Sequence, residues 1–542
     1  MKITSKLVTT NKSKLSLNHI NLAKIIEQAM VTYADLNAYS CLGQSMTFAE
    51  VDKKSLSLAC YLVNDAGLKT GDRVAIQLPN IIQYPIAAYA VLRAGLVLVN
   101  TNPLYTAREM QHQFSDSGAK ALIILGDMLP KLEHIISVTE IETVITTQIM
   151  DLIKPQYSTN ESSSPHFENV NLVSLIDILM SDKKLNSLAQ DSTLNTIAAI
   201  QYTGGTTGLS KGAVLTHGNL LSNLEQTSER LSHVTNVEKE IFVTPLPLYH
   251  VYAFLLNLWV FTQGNCNVLI PNPRDLDSFV NTLKEHLITG FCGINTLFIG
   301  LSHHERIKQV DFKQLKLTIS GGAALTSAAV GSWKKLTGCT ISEGYGLSET
   351  SPVVTLNPPG KEQIGSIGLP LKVTEVQLWN ENEQQVEQGE AGEIVVRGPQ
   401  VMQGYWMQQK ETAEVLNSEG WFKTGDIAIS QDDGYFRIVD RKKDMINVSG
   451  FNVYPNEIEA EVAKMPGILE SACIGVADDK TGEAVKLFVV TNKESANENI
   501  TEQDVINFCR QGLTAYKIPK QVVFIDEVPK SSVGKLLRRE LR

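Results

Sequence analysis

The segment Tyr202-Thr-Gly-Gly-Thr-Thr-Gly-Leu-Ser-Lys-Gly-Ala213 is the part of this chain whose composition points most directly to a site. Its twelve residues include four glycines, four Ser or Thr hydroxyls and one lysine. Glycines let backbone N–H groups turn inward, and hydroxyls and an ammonium add further donors. The composition therefore favours a concave cradle for phosphate oxygens. A solvated Gly/Ser/Thr loop is the alternative, and the segment alone leaves both interpretations open.

Two better-known motifs do not fit this segment. A Walker P-loop needs Gly-Lys followed directly by Ser or Thr, whereas Lys211 follows Ser210 and precedes Gly212. The same residues match the G-x-S-x-G nucleophile elbow of hydrolases, which places the serine on a sharp turn directly after a strand. Here a run of Gly and Thr separates Ser210 from the preceding apolar segment, so we reject the hydrolase interpretation.

The surroundings of the cradle predict an α/β fold. Residues 197–201 read as a buried strand that leads into it, and before it apolar strands at 74–78 and 121–125 alternate with a helix at 86–94. A second α/β series follows the cradle and includes a strand at 317–320. This alternation predicts two doubly wound, mainly parallel sheets.

The last third of the chain has a different pattern. Between about 361 and 438, glycines and prolines recur among short alternating segments, which predicts a small β-barrel or a β-meander. After it, a helix at 456–464 and strands at 472–476 and 486–491 predict a small α+β domain. We therefore predict a polar N-terminal segment (1–24), a large domain (25–439) and a C-terminal domain (440–542).

Composition narrows the class of protein. The net charge of −10 argues against general nucleic-acid binding, and the seven cysteines show no zinc spacing and are typical of a reducing compartment. Residues 1–19 have no apolar core of a secretory signal. The most lipid-like segment, 251–261, is far shorter than the ~18 residues that span a bilayer. We expect a cytoplasmic enzyme, with peripheral contact with the inner face of the membrane left open.

Further along the chain, three groups carry side chains that suit chemistry, each with a structural alternative. His250 ends a proline-broken turn, and a lone histidine is more often structural than functional. Gly321-Gly-Ala323 could let a planar base approach the backbone or simply turn the chain. In Glu343-Gly-Tyr-Gly-Leu-Ser-Glu-Thr350, Tyr345 could stack on a purine, and Ser348 with Glu349 offers oxygen ligands for Mg²⁺. A loop with a solvated glutamate is the alternative there.

Two more groups lie towards the C-terminus. The carboxylate of Asp426, in Thr424-Gly-Asp426, can accept two ribose hydroxyls, and Arg441 can clamp a polyanion. Each could equally be an ordinary surface charge. The segment Pro529-Lys-Ser-Ser-Val-Gly-Lys535 reads by itself as a basic tail.

Taken in order and spacing, these motifs resemble those of the adenylate-forming superfamily, which comprises acyl-CoA synthetases, luciferases and adenylation domains. The resemblance runs from about residue 25 to the end and rests on six ordered motifs: the cradle, Pro247-Leu-Tyr-His250, Tyr345-Gly-Leu-Ser-Glu349, Thr424-Gly-Asp426, Asp440-Arg-Lys-Lys-Asp444 and the Lys535 segment. The tract from Glu419 to Lys443 looks like the fatty-acyl-CoA synthetase signature. Within the superfamily the chain is similar to bacterial long-chain fatty-acid–CoA ligases.

The resemblance implies a two-step reaction with a fatty acid, ATP and coenzyme A as substrates and Mg²⁺ as the cofactor. A fatty carboxylate attacks the α-phosphorus of ATP, and the thiol of coenzyme A then displaces AMP. It also implies a role for each matching residue. The β- and γ-phosphates are held by Thr203, Gly204, Gly205, Thr206, Thr207, Gly208, Ser210 and Lys211, and Mg²⁺ is bound by Glu349 with Thr203. Gly322 and Tyr345 frame the adenine, Ala323, Gly346 and Ser348 also belong to the ATP site, and Asp426 and Arg441 take the ribose. Lys535 bridges the carboxylate and the α-phosphate, and the catalytic residues are Lys535, Glu349 and His250. Lys443 is the hinge of a mobile C-terminal domain, and Gly450 and His250 belong to the coenzyme A channel.

The chain departs from the superfamily pattern at two positions. Ser348 stands where many relatives have threonine, which keeps the hydroxyl, and Lys423 stands where many have histidine. The alternatives are a medium-chain or aryl-CoA ligase, an acyl-AMP ligase, and a non-catalytic fatty-acid-binding or uptake protein. The oligomeric state, a dimer included, is left open.

Overall fold

The structure is a computed structural model that describes residues 21–153, 167–181, 192–203, 210–322, 325–492, 500–530 and 536–542. The strands in these ranges are β1 (Asn37–Cys41), β2 (Gln44–Thr47), β3 (Arg73–Gln77), β4 (Val97–Asn100), β5 (Ala119–Leu125), β6 (Thr143–Thr147), β7 (Asn171–Ser174), β8 (Ile197–Thr203), β9 (Lys211–Thr216), β10 (Ile241–Thr244), β11 (Cys266–Leu269), β12 (Gly290–Gly293), β13 (Leu317–Ser320), β14 (Ile341–Gly346), β15 (Val353–Leu356), β16 (Leu369–Pro370), β17 (Glu375–Trp379), β18 (Ala391–Arg397), β19 (Phe422–Ser430), β20 (Phe436–Arg441), β21 (Ile446–Val448), β22 (Phe451–Val453), β23 (Ile468–Asp478), β24 (Gly482–Thr491) and β25 (Gln521–Phe524). The α-helices are α1 (Leu22–Thr32), α2 (Phe48–Asn64), α3 (Gln83–Arg93), α4 (Ala107–Ser117), α5 (Leu175–Leu179), α6 (His217–Leu231), α7 (Val251–Thr262), α8 (Leu276–Lys284), α9 (Asn295–His303), α10 (Ser327–Thr337), α11 (Gln409–Val415), α12 (Pro455–Val462) and α13 (Glu502–Gly512).

The first sheet has the spatial order β7-β6-β5-β3-β4-β8-β9 and is parallel except for its β8–β9 edge. β4 lies on one side of β3 and β5 on the other, so the strand order reverses at β3. In sheets of this kind, ligands bind beyond the carboxyl ends of the strands near such a reversal. The carboxyl end of β8, next to β4, leads at Thr203 into the glycine–threonine segment.

The second sheet has the order β16-β15-β14-β13-β12-β10-β11-β1-β2, with a parallel centre from β14 to β1 and antiparallel edges. Its order reverses at β10, which has β11 on one side and β12 on the other. The carboxyl ends of β10 and β13 lead to His250 and Gly321-Gly322, and Tyr345 is the last residue but one of β14. The prediction of two wound α/β sheets is therefore confirmed, and the motifs found by sequence follow the expected strand ends.

Two apolar helices are enclosed by these layers. Every residue of α3 is buried, and so is every residue of α7 except Tyr252. A helix that is apolar all round belongs in a core or a membrane, and here packing against neighbouring elements covers both. The lipid-like segment identified in the sequence is α7. No helix within the described ranges is long and apolar enough to cross a bilayer.

The last part of the chain forms two antiparallel units. Strands β17 to β20 make a four-stranded sheet in chain order, so the segment predicted as a small barrel or meander has meander order. A short 3₁₀ turn, Lys442–Asp444, then leads into the C-terminal sheet β22-β21-β24-β23, where β25 also pairs with β24. The C-terminal unit has apolar clusters of its own, which include Ile446 and Val485 beneath helices α12 and α13. The division at residue 440 stays a prediction.

Candidate active site

The ends of the cradle are set by the β8–β9 pair. Thr203, the last residue of β8, lies opposite Lys211, the first residue of β9, so the intervening residues form a loop at the sheet edge. The Lys211 ammonium lies 5.1 Å from the centre of the Tyr405 ring, a distance at which the ring face attracts a cation. Ser210 is half-buried beside Lys211. The remaining predicted cradle residues lie outside the described ranges: Gly204, Gly205, Thr206, Thr207 and Gly208.

Glu349 lies in a 3₁₀ turn, Ser348–Thr350, that packs against both β8 and β9. The glutamate is only 8% exposed, and its Oε1 accepts a hydrogen bond of 2.9 Å from the Tyr405 hydroxyl. The chain approaches this turn through Gly346, where a Cβ would collide with the Pro352 carbonyl oxygen. A glycine is therefore required there by close backbone contact. The fold thus brings a buried carboxylate up to the strands that carry the cradle.

The second polar cluster joins β14 to the meander. Asp426 is 4% exposed, and its carboxylate accepts a hydrogen bond of 2.7 Å from the Tyr345 hydroxyl. Its other oxygen lies 2.9 Å from Nε of Arg441, which pairs with Asp426 across the β19–β20 register. Burial, and secondly the Asp426 charge, hold the pKa of Tyr345 well above its usual value, so the phenol stays a donor. Three residues predicted to contact a nucleoside thus form one connected group.

One cavity of about 270 Å³ lies beside Glu349 and extends to the residues directly before Asp426. Its lining includes Glu349 and Tyr405 from one side and Thr424 and Gly425, directly before Asp426, from the other. Lys423, one of the two positions that depart from the superfamily pattern, also lines the cavity and pairs with Glu383 at 3.0 Å. The glutamate and the Thr424–Asp426 motif are therefore close neighbours.

The β13 end supplies an open backbone surface. Gly322 has a φ of +84°, and nothing in the described part of the chain lies within 4 Å of where its Cβ would be. Positive φ favours glycine, and the free space above it leaves the backbone accessible. Ala323 lies outside the described ranges. Nearby, burial raises the pKa of Glu343 to about 7, and its carboxylate faces the Leu325 N–H.

His250 has a structural task that sequence reasoning left open. It is the N-cap of α7, where its Nδ1 accepts a hydrogen bond from the Tyr252 N–H. The turn before it is held by Asn80, whose side chain binds the Thr244 and Leu246 carbonyls and the Leu248 N–H. A capping role does not exclude a second role, because Nε2 makes no part of the cap.

The predicted hinge and channel residues lie at the junction with the C-terminal unit. Lys443 is exposed in the 3₁₀ turn after β20. Gly450 is exposed in the turn between β21 and β22, with a φ of +87° and an N–H that donates to Asn447. Lys535 lies outside the described ranges, but Arg538, three residues later, donates to the Glu459 carboxylate at 2.9 Å. That ion pair anchors the terminal segment to α12.

Tyr405 is the residue that sequence reasoning missed, since it touches both Glu349 and Lys211. The backbone of 403–406 is hydrogen-bonded to β9, for example from the Trp406 N–H to the Gly212 carbonyl at 2.7 Å. The one signal in the sequence was a Gly-flanked aromatic pair, Tyr405-Trp406, in an otherwise polar stretch. Its partners are distant in the chain, so only the fold could identify it.

Two wound sheets, a glycine–threonine loop at a strand end and a C-terminal α+β unit match the architecture that the resemblance to adenylate-forming enzymes implied. A family model described as AMP-binding enzyme matches residues 26–406, and one described as AMP-binding enzyme C-terminal domain matches residues 457–535. The chain belongs to the AMP-binding enzyme family.

Several individual proteins are similar to this chain over almost its whole length. A long-chain-fatty-acid–CoA ligase of Salmonella typhimurium (strain LT2) is 44% identical over 532 residues, which cover 96% of this chain and 94% of the relative. A protein of the same name from Bacillus subtilis (strain 168) is 36% identical over 539 residues, covering 97% and 95%. Among solved structures, ATP-bound MatB from Rhodopseudomonas palustris superposes with a TM-score of 0.85 at 28% identity and covers 96% of this chain and 98% of that one.

Proposed function

We propose that this protein is an ATP-dependent long-chain fatty-acid–CoA ligase. It activates a fatty acid to acyl-AMP with release of pyrophosphate, and then transfers the acyl group to coenzyme A with release of AMP. The observation that carries the proposal is the 44% identity to a long-chain-fatty-acid–CoA ligase across nearly both chains. The position of Glu349 and of Thr424-Gly425, directly before Asp426, on the lining of one cavity supports it.

The nucleoside is bound by the Tyr345–Asp426–Arg441 group. An ionised carboxylate has about four lone-pair sites, of which Tyr345 and Arg441 use two, so Asp426 can still accept from ribose hydroxyls. We propose that the base lies against Tyr345 and the open backbone of Gly322, and that Ala323, Gly346 and Ser348 also belong to the ATP site. Arg441 holds the Asp426 carboxylate in place, since one guanidinium N–H is already engaged with it.

The triphosphate is bound by the loop from Thr203 to Lys211. Backbone N–H groups of a glycine-rich loop, with hydroxyl groups and the Lys211 ammonium, form a concave anion site. Because Lys211 lies over the Tyr405 ring, its ammonium is held near the cavity, and within the described ranges no ion pair joins it to a carboxylate. These positive groups then act on the β- and γ-phosphates.

Glu349 and the Thr203 hydroxyl are proposed to hold Mg²⁺. In the described ranges there is no group of three or more His, Cys, Asp or Glu that could form a protein-only metal site. Mg²⁺ fits such a place, because it is commonly bound by one or two carboxylates together with substrate phosphates and water. The Tyr405 hydroxyl orients the carboxylate by binding one of its two oxygens. When bound, the ion supplies charge neutralisation for the phosphates.

The first chemical step joins two anions, so positioning and charge neutralisation dominate catalysis. A carboxylate oxygen of the fatty acid forms a bond to the α-phosphorus, and the bond from that phosphorus to the bridging oxygen of pyrophosphate breaks. Lys535 is proposed to place its ammonium between the carboxylate and the α-phosphate. This role is carried over by resemblance, since Lys535 lies outside the described residues.

The second step forms the thioester. The sulfur of coenzyme A attacks the acyl carbonyl and loses its proton, and the bond between the acyl carbon and the AMP oxygen breaks. We propose that the C-terminal unit rotates about Lys443, so that Lys535 leaves and Gly450 lines a channel for the pantetheine arm. His250 lies at the inner end of that channel.

The test is pyrophosphate release from ATP with acids of increasing chain length, with and without coenzyme A. We expect activity with palmitate- or oleate-like acids and little with medium-chain or aryl acids. Preference for an aryl acid would favour the aryl-CoA ligase alternative. Release without any thioester product would favour an acyl-AMP ligase, and no release would favour a binding or uptake protein.

We infer that the enzyme is cytoplasmic. Whether it forms a dimer and whether it contacts the inner face of the membrane are both left to experiment. Sedimentation of the protein with anionic vesicles tests the second, and analytical ultracentrifugation tests the first.

A further inference from the structure

Helix α4 places two polar side chains, His112 and Asp116, against the strands that carry the phosphate loop. They are four residues apart and so lie on one face of the helix. The start of the helix is fixed by a reciprocal cap, in which Thr106 binds the Glu109 N–H and the Glu109 side chain binds the Thr106 N–H. The helix is thus a rigid support beside the loop.

His112 holds the exit of the loop. Its Nε2 lies 3.0 Å from the Ser210 carbonyl oxygen. A carbonyl oxygen only accepts, so Nε2 carries the proton and donates. Ser210 directly follows the segment 204–209, which means that the position of His112 sets where the loop re-enters the sheet.

Asp116 holds the entrance of the same loop. Its carboxylate accepts a hydrogen bond of 2.5 Å from the hydroxyl of Tyr202, which is 6% exposed and directly precedes Thr203. Its backbone carbonyl accepts a second hydrogen bond, of 3.1 Å, from the Trp406 indole. The backbone N–H of Trp406 in turn donates to the Gly212 carbonyl on β9. The loop entrance and the Tyr405-Trp406 segment are therefore tied to one turn of α4.

Arg73 fixes the other end of the helix. Its Nε and Nη2 donate to the Ser117 and Gly118 carbonyls at 2.8 and 2.7 Å, and its guanidinium lies 5.8 Å from the Trp406 ring centre. Because Arg73 lies on β3, its hydrogen bonds connect α4 to the centre of the first sheet. Neither end of α4 can shift without breaking these bonds.

We propose that His112 and Asp116 are positioning residues for the phosphate-binding loop. By holding Tyr202 and Ser210, they fix the adjacent Thr203 and Lys211, two residues assigned to ATP, in position before ATP binds. A preformed anion site binds more tightly than one that must be ordered during binding. Neither side chain touches the nucleotide in this proposal, which rests on the proposed function of the loop.

The test compares His112→Ala, His112→Gln and the matched control Gln111→Ala, an exposed neighbour on the same helix. Loss of one hydrogen bond to the loop is expected to raise the KM for ATP about five- to tenfold in His112→Ala and to leave the KM for palmitate within about twofold. His112→Gln keeps an N–H donor of similar reach and should recover most of the ATP affinity. Gln111→Ala should match the wild type.

A parallel comparison of Tyr202→Phe with the wild type tests the other end of the loop, with the same expected selective effect on ATP. An unchanged KM for ATP in His112→Ala, or equal losses for ATP and palmitate together with a lower melting temperature, would overturn the proposal. So would a His112→Gln variant as impaired as His112→Ala. If the wild type binds ATP by calorimetry but activates no fatty acid, the proposed function fails. The ATP affinities of the variants then still test whether His112 and Asp116 position the loop.

Discussion

Replacing Asp426 by asparagine should weaken ATP use far more than fatty-acid use. Asp426 is 4% exposed and contacts the Tyr345 hydroxyl at 2.7 Å and the Arg441 Nε at 2.9 Å. The asparagine oxygen can still accept from Tyr345. The negative charge that pairs with Arg441 and accepts from the ribose is lost.

The magnitude follows from these contacts. A hydrogen bond to a charged group contributes about 1.5–3 kcal/mol, and we take the lower end because Arg441 is partly exposed. Loss of the ion pair together with one weakened ribose contact then costs about 3 kcal/mol, or roughly 100-fold in kcat/KM for ATP.

The assay is pyrophosphate release with ATP varied at saturating palmitate, and then with palmitate varied at saturating ATP. Asp432→Asn is the matched control, since Asp432 is an exposed carboxylate on the β19–β20 turn of the same hairpin. We expect the control to keep wild-type kinetics. A folded Asp426→Asn variant whose kcat/KM for ATP stays within about threefold of wild type would refute the proposed ribose site.

Four further predictions concern other parts of the enzyme. Lys535→Ala should lower the rate of acyl-AMP formation ~10²–10³-fold, and normal adenylation would remove the role assigned to the lysine. Gly450→Leu should slow thioester formation more than adenylation in separate half-reaction assays, because the residue is assigned to the second step; equal losses would argue against domain rotation. Tyr405→Phe should lower kcat for pyrophosphate release by about tenfold or more, since it removes the hydrogen bond that orients the buried Glu349 carboxylate, and unchanged kinetics would contradict this. Burial raises the pKa of Glu343 to about 7, against 4.5 for an ordinary glutamate, so the carboxyl binds a proton more tightly in the folded protein and the free energy of unfolding should fall as pH rises from about 4.5 to 7. Glu343→Gln should remove this decline, which is worth up to roughly 3 kcal/mol, in urea titrations at pH 5 and 8. An unchanged pH dependence in the variant would count against the assignment.

Much of the fold could be predicted from the sequence because its strands are continuous apolar runs. The strand predicted at 317–320 coincides with β13, and the one predicted at 121–125 is β5 without its first two residues. The strands predicted at 472–476 and 486–491 are shorter than β23 and β24. Those strands continue through polar residues to the turn at Asp478, and apolar patterning does not detect such half-exposed ends.

The site was predictable only where chemistry is concentrated in short motifs. Tyr345, Asp426 and Arg441 are each ambiguous in the sequence, and the fold brings both Tyr345 and Arg441 within hydrogen-bonding distance of Asp426. Tyr405 and His112 gave little signal, because their importance comes from partners far away in the chain. A lone aromatic or histidine has no periodicity or spacing that marks it, and tertiary packing alone creates its contact.

The most direct test of the account is to mix the enzyme with ATP, Mg²⁺ and palmitate without coenzyme A, and to measure pyrophosphate and enzyme-bound palmitoyl-AMP by mass spectrometry. We expect both products in equal amounts, close to one per active site, and conversion of the adenylate to palmitoyl-CoA when coenzyme A is added. Failure to form palmitoyl-AMP under these conditions, with ATP bound, would contradict the claim that this cleft adenylates a long-chain fatty acid.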